Sequence, residues 1–153
     1  MDRLFYKKHH SCLAMLLCVL LSACSEITLV GQYDEVIDQG VMRLHRENTA
    51  FLLDMEYKAG TPEGEFIANT GFYIGALSDI ASLKLRASNT PQNNLTSQQL
   101  QLLEDSIREL MVLHEAQEDL GLIEAITRPL QTAMDVQFGA ILKLEIAKKR
   151  GIE

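Results

Sequence analysis

The chain has 153 residues and a formal net charge of −7, from 14 basic and 21 acidic side chains. That acidity makes it a poor partner for nucleic acid and for anionic surfaces in general. The length allows a single domain with a sizeable core.

In chain order, the first feature is a targeting segment. Arg3, Lys7 and Lys8 make the start basic, and an uncharged apolar run from Cys12 to Leu21 follows. That run is about half of the ~20 residues needed to cross a bilayer as a helix. A basic start, a short apolar stretch and small residues before a cut together indicate a secretory signal. The last four residues, Leu21-Ser22-Ala23-Cys24, resemble the lipobox of bacterial lipoproteins, where an aliphatic residue and two small ones precede a cysteine.

The resemblance covers residues 1–24. It implies a signal peptide over 1–23, cleavage before Cys24, and a diacylglyceryl group on the Cys24 thiol with acylation of the new amino group. The expected domains are the signal at 1–23, a lipid anchor and short tether at 24–31, and a helical domain at 32–153. Ser25, where an aspartate favours inner-membrane retention, implies an outer-membrane anchor with the domain facing the periplasm. Two or three acyl chains make such anchoring stable, whereas one is marginal. Cys12 and Cys18 would leave with the signal and Cys24 would be occupied, so no disulfide and no thiol chemistry is expected. Loss of the signal shifts the net charge from −7 to −9, because it carries three basic residues and one acidic one. The tether, Ser25 to Gly31, reaches ~25 Å at most, which holds the domain against its own membrane.

Beyond the tether, apolar spacing predicts four helices and no strand. The first covers Gln32 to Lys58, with Ile37, Val41, Leu44, Phe51 and Met55 on one stripe. Gly60-Thr61-Pro62 ends it and opens the second, Glu63 to Ala87, striped by Phe66, Thr70, Tyr73, Leu77 and Ile80. A polar loop, Ser88 to Asn94, follows. Thr96 and Gln99 have the spacing of a capping box for the third helix, with Leu95 and Leu100 as a hydrophobic staple. Its stripe is Leu100, Leu103, Ile107, Leu110 and Met111, and Gly121 is its expected C-cap. The fourth carries Leu130, Met134, Phe138, Ile141 and Leu144, with Pro129 in its first turn and Leu122 to Thr127 as an extra turn or kinked approach. The expected fold is all-α, an up-and-down antiparallel four-helix bundle after a cleaved signal peptide; a three-helix core crossed by the second helix is the alternative.

Catalytic and metal chemistry find little support. A di-iron bundle needs Glu-x-x-His pairs, but His45 and His114 are preceded three residues earlier by Met42 and Met111. Covalent haem would need Cys-x-x-Cys-His, which is absent. There is no Gly-x-Ser-x-Gly elbow, and the serines at 78, 82, 88, 97 and 106 have no partners suggested by spacing. Asp34, Glu35, Asp38, Glu104, Asp105, Glu115, Glu118 and Asp119 read as solvated helix faces. The expectation is a non-enzyme without cofactor or metal.

Three features invite a site. Gly71 and Gly75, one turn apart, weaken the second helix by ~1 kcal/mol each relative to alanine. They mark a close helix crossing, a groove for a partner helix or, with Phe66, Tyr73 and His114, room for an apolar ligand or non-covalent haem. Asn48, in phase with Leu44, Phe51 and Met55, is a candidate buried register residue. Lys148, Lys149 and Arg150 complement the dipole of the fourth helix, and in an up-and-down bundle they would lie near the lipidated end and its membrane. Phe72, Leu85, Leu102, Val112 and Ile146, outside the main stripes, are candidates for a partner surface or a broad core. The chain resembles in type the small helical lipoproteins of Gram-negative bacteria, a likeness that carries no site residue. The expected function is a membrane-anchored envelope lipoprotein acting as a structural or interaction module with a protein partner; the alternative is a periplasmic ligand-binding bundle.

Overall fold

The computed structural model describes residues 31–151, so the signal, the lipobox and Cys24 lie outside the described residues. Four helices account for most of them: α1 (Glu35–Lys58), α2 (Phe66–Ser88), α3 (Asn94–Ala116) and α4 (Glu124–Arg150). Short 3-10 turns at Pro62–Gly64 and Glu118–Leu120 sit in the α1–α2 and α3–α4 connections. Among the described residues there is no strand, and no helix is long and apolar enough to cross a membrane.

Each helix packs against its sequence neighbour, and α4 closes the ring against α1. Side-chain pairs fix the antiparallel sense. Gly40 lies against Leu83, Arg43 pairs with Asp79, and Phe51 stacks on Phe72. Across the closing seam Asp34 bonds Glu145, His45 meets Asp135, and Gln131 donates to Thr49. As numbering climbs on one helix it falls on the other, which is an up-and-down four-helix bundle. The predicted stripes supply its interior: Ile37, Val41, Met55, Ile80, Leu100, Leu103, Leu110 and Ile141 are sealed from solvent. Each such side chain contributes ~1.5–3 kcal/mol relative to an exposed position.

Several helix ends differ from expectation, and each has a local reason. α1 begins at Glu35 because the Asp34 carboxylate accepts from the amides of Val36 (2.9 Å) and Ile37 (3.3 Å), satisfying two otherwise unpaired donors. Pro62 opens a 3-10 turn rather than α2, which starts at Phe66. α3 begins at Asn94, so Thr96 lies inside the helix and the capping box with Gln99 does not form. Leu95 of the expected staple is 45% exposed while Leu100 is buried. α3 ends at Ala116, and Gly121, at φ +61°, instead terminates the 3-10 turn beyond it. Residues from Glu124 onward are continuous with α4, so Pro129 lies past its first turn, not within it. Leu85, Leu102, Val112 and Ile146 are exposed, whereas Phe72 is half-buried against Phe51.

Candidate functional site

Most polar groups withdrawn from solvent fall into two clusters, one near each end of the bundle; Asn48 lies between them, and Thr127 pairs separately with Glu56. At the end formed by the α1–α2 and α3–α4 connections, His114 of α3 is fully buried. Its Nε2 lies 2.9 Å from the Gly64 carbonyl oxygen and its Nδ1 lies 2.9 Å from the Tyr73 hydroxyl. A carbonyl can only accept, so Nε2 carries a proton and donates to Gly64, and in that tautomer Nδ1 accepts from the Tyr73 hydroxyl. One imidazole thus joins α3, α2 and the α1–α2 connection. The connections also join directly, Gly60 donating to the Leu120 carbonyl at 3.1 Å. A Cβ on Gly121 would stand 2.8 Å from the Gly64 carbonyl oxygen, so a side chain there would separate them.

Aromatic rings close around this histidine. Phe66 meets it edge-on at 5.8 Å, Phe51 meets Tyr73 edge-on at 5.4 Å, and Phe51 and Phe72 stack at 3.7 Å. Burial in this setting raises the Tyr73 pKa well above that of a free phenol, so it stays a neutral donor.

Of the five residues expected to line a pocket, Phe66, Tyr73 and His114 come together and Gly71 and Gly75 do not. The two glycines lie on the outer face of α2, where an added Cβ would meet nothing within 4 Å. They therefore form neither a close crossing nor a shared pocket wall. The close approach is at Gly40, where a Cβ would stand 2.8 Å from Leu83 Cδ2. Both ring nitrogens of His114 are already engaged, so ligating haem would cost it one of these two bonds.

At the other end, α4 contributes Glu145 and Lys148, whose side chains are almost wholly withdrawn from solvent. Lys148 Nζ donates to Glu145 Oε1 (2.5 Å), Thr96 Oγ1 (2.6 Å) and Asn93 Oδ1. Thr96 donates to Glu145 at 3.1 Å, and the Asp34 amide reaches the second carboxylate oxygen at 3.3 Å. This corrects the expectation for Lys148: it is not a membrane-facing cation but the centre of a polar cluster joining the start of α1, the start of α3 and the end of α4. Lys149 and Arg150 are exposed, and Lys149 Nζ lies 5.1 Å from the centre of the Tyr33 ring.

Charges around this end reinforce it. Burial would raise the Asp34 pKa, but the Arg86 guanidinium, 2.6 Å away, and the two capping amides outweigh it and hold the carboxyl below the usual range. Lys84 and Arg108 do the same for Glu104 between α2 and α3. A hydrogen bond from Tyr33 to Asp38 pushes the Tyr33 pKa up to about 12. Asp34 and Glu104 are thus tied into the fold rather than lying on solvated faces.

Between the two clusters Asn48 is 1% exposed, and neither amide atom has a hydrogen-bond partner. It occupies the expected buried position on α1. His45 sits at the helix flank, 2.8 Å from Asp135 and edge-on to Phe138.

In both end clusters the buried polar groups bond to neighbouring groups of the fold, with Asn93 Nδ2 left without a partner among the described residues. Among the described residues no group of three metal-ligating side chains converges. No protein-family model, curated protein or solved structure matches the chain.

Proposed function

We propose that the chain is a lipid-anchored envelope protein of the outer membrane, whose bundle acts in the periplasm as a non-enzymatic interaction module. The supporting observation is how the chain enters the bundle. Gly31 donates to the Gln92 carbonyl at 2.9 Å, and Asp34 is bonded to Arg86 and Glu145. The entry point is thereby fastened to the end that exposes Lys149 and Arg150, and Cys24 lies only seven residues before Gly31. A lipid on Cys24 would bring those two cations to the bilayer surface, where each gains ~1 kcal/mol from anionic headgroups.

The experiment is metabolic labelling with an alkyne fatty acid, comparing the natural chain with Cys24→Ser. The natural chain should take up label and sediment with membranes; the variant should do neither. An unlabelled natural chain, or a variant that sediments unchanged, would overturn the anchor. With the anchor established, Lys149→Gln with Arg150→Gln should raise the accessibility of this end to an impermeant reagent.

A further inference from the structure

The outermost line of α2, opposite its buried stripe, runs Ile67, Gly71, Ile74, Ser78, Ala81, Leu85 at helical spacing and carries no charge over five turns. Its large members are widely exposed: Ile67 at 75%, Ile74 at 69% and Leu85 at 66%. The other helices expose charge on their outer faces, Arg46 on α1, Asp105 and Glu109 on α3, and Lys143 on α4. Charges flanking the α2 line are already paired with neighbouring helices of the same chain, Asp79 with Arg43 at 3.1 Å and Lys84 with Glu104 at 2.5 Å.

We propose that this face docks a second copy of the same chain, as an antiparallel α2–α2 pair with its twofold axis at the level of residue 76. The arrangement of the line identifies the occupant. Turned end for end about that level, Ile67 falls opposite Leu85 of the other copy, Gly71 opposite Ala81, and Ile74 opposite Ser78. A twofold contact is isologous, so each of these pairs occurs twice. The large residues meet at the two ends, small residues face each other where the backbones approach, and each Ile74 has a serine to lie over. The line itself carries no charge, so it brings no like charges together between two acidic copies. Gly71 acquires a reason at this surface that it lacks inside the monomer, since nothing in its own chain comes within 4 Å of where its side chain would stand.

The test is pairwise cysteine cross-linking of the full chain in membranes, with the chain lacking introduced cysteines as baseline. Copies carrying Ile74→Cys co-expressed with copies carrying Ser78→Cys should give a disulfide-linked dimer on mild oxidation. Ile67→Cys with Ser78→Cys, two turns out of register, should give at least tenfold less. Adding Ala81→Glu, an exposed substitution that leaves helical circular dichroism unchanged, should reduce the 74–78 product at least tenfold. No dimer above baseline, equal yield from both pairs, insensitivity to Ala81→Glu, or an adduct of another mass would each overturn the proposal.

Discussion

Lys148 Nζ lies 2.5 Å from Glu145 Oε1, one helical turn away on α4, and both side chains are withdrawn from solvent to within a few per cent. Burying an ion pair is costly, and removing one partner is worse because the other charge is left uncompensated. Lys148→Met should therefore destabilise the fold by ~3–5 kcal/mol, and Lys148→Met with Glu145→Gln by clearly less. A double-mutant cycle from chemical denaturation checks this; additive losses would show that the two charges are not coupled.

The Tyr73 hydroxyl is the partner of His114 Nδ1. Tyr73→Phe keeps the ring packing and strands that nitrogen, at an expected cost of ~1–3 kcal/mol. The denaturation midpoint should fall with the slope unchanged.

Asn48 predicts the opposite sign. Its amide forgoes solvent without gaining a partner, so Asn48→Leu, of equal heavy-atom count, should raise stability by ~1 kcal/mol or more. A loss in thermal or chemical unfolding would mean that the amide holds a polar guest in solution.

Two helical glycines should respond differently to alanine. At Gly139 a Cβ meets nothing within 4 Å, so Gly139→Ala should gain ~0.5–1 kcal/mol of helix propensity. At Gly40 the new methyl would press on buried Leu83, and overpacking of ~1–3 kcal/mol offsets or exceeds the same gain. Thermal melts of both variants measure the contrast.

Acid should weaken the fold through Asp34 and Glu104. Both carboxyls titrate below their unfolded values, so the folded state binds fewer protons than the unfolded one as pH falls through ~4. Their contribution is present above that pH and is lost progressively as the folded pKa values are crossed. The melting temperature of Asp34→Asn with Glu104→Gln should depend less on pH below ~5 than that of the natural chain.

The four-helix fold was legible because its signal is a sum of many apolar positions: Ile37 to Met55 and Leu100 to Leu110 needed no knowledge of their partners. The polar clusters were not, although their phase was visible. Glu145 and Lys148 continue the turns of Phe138 and Ile141, and Thr96 continues those of Leu100 and Leu103. Residue type suggested surface, whereas long-range partners permit burial, and no spacing within one helix reports a partner on another. Thr96 shows the conflict directly: the capping-box pattern is local, but its hydroxyl is used by Glu145, 49 residues away. The burial of His114 is legible in its phase with Leu103, Ile107 and Leu110, yet Gly64 as its acceptor depends on how a connecting segment turns back. Gly71 and Gly75 were noticed for their helix cost, but composition alone does not say which way a helix faces.

The seam between α1 and α4 has a consequence for the order of folding. The α2–α3 hairpin is joined by a short connection and can form early, since little loop entropy is lost in closing it. The Asp34–Glu145 bond joins residues 111 positions apart, and contacts of that separation form late. During synthesis, α1 therefore acquires α2 as its first neighbour and waits for its second until α4 has been delivered. Until then one flank of the Ile37–Met55 stripe stays uncovered, and the interval between the arrival of α2 and that of α4 is when the chain is most open to misassociation.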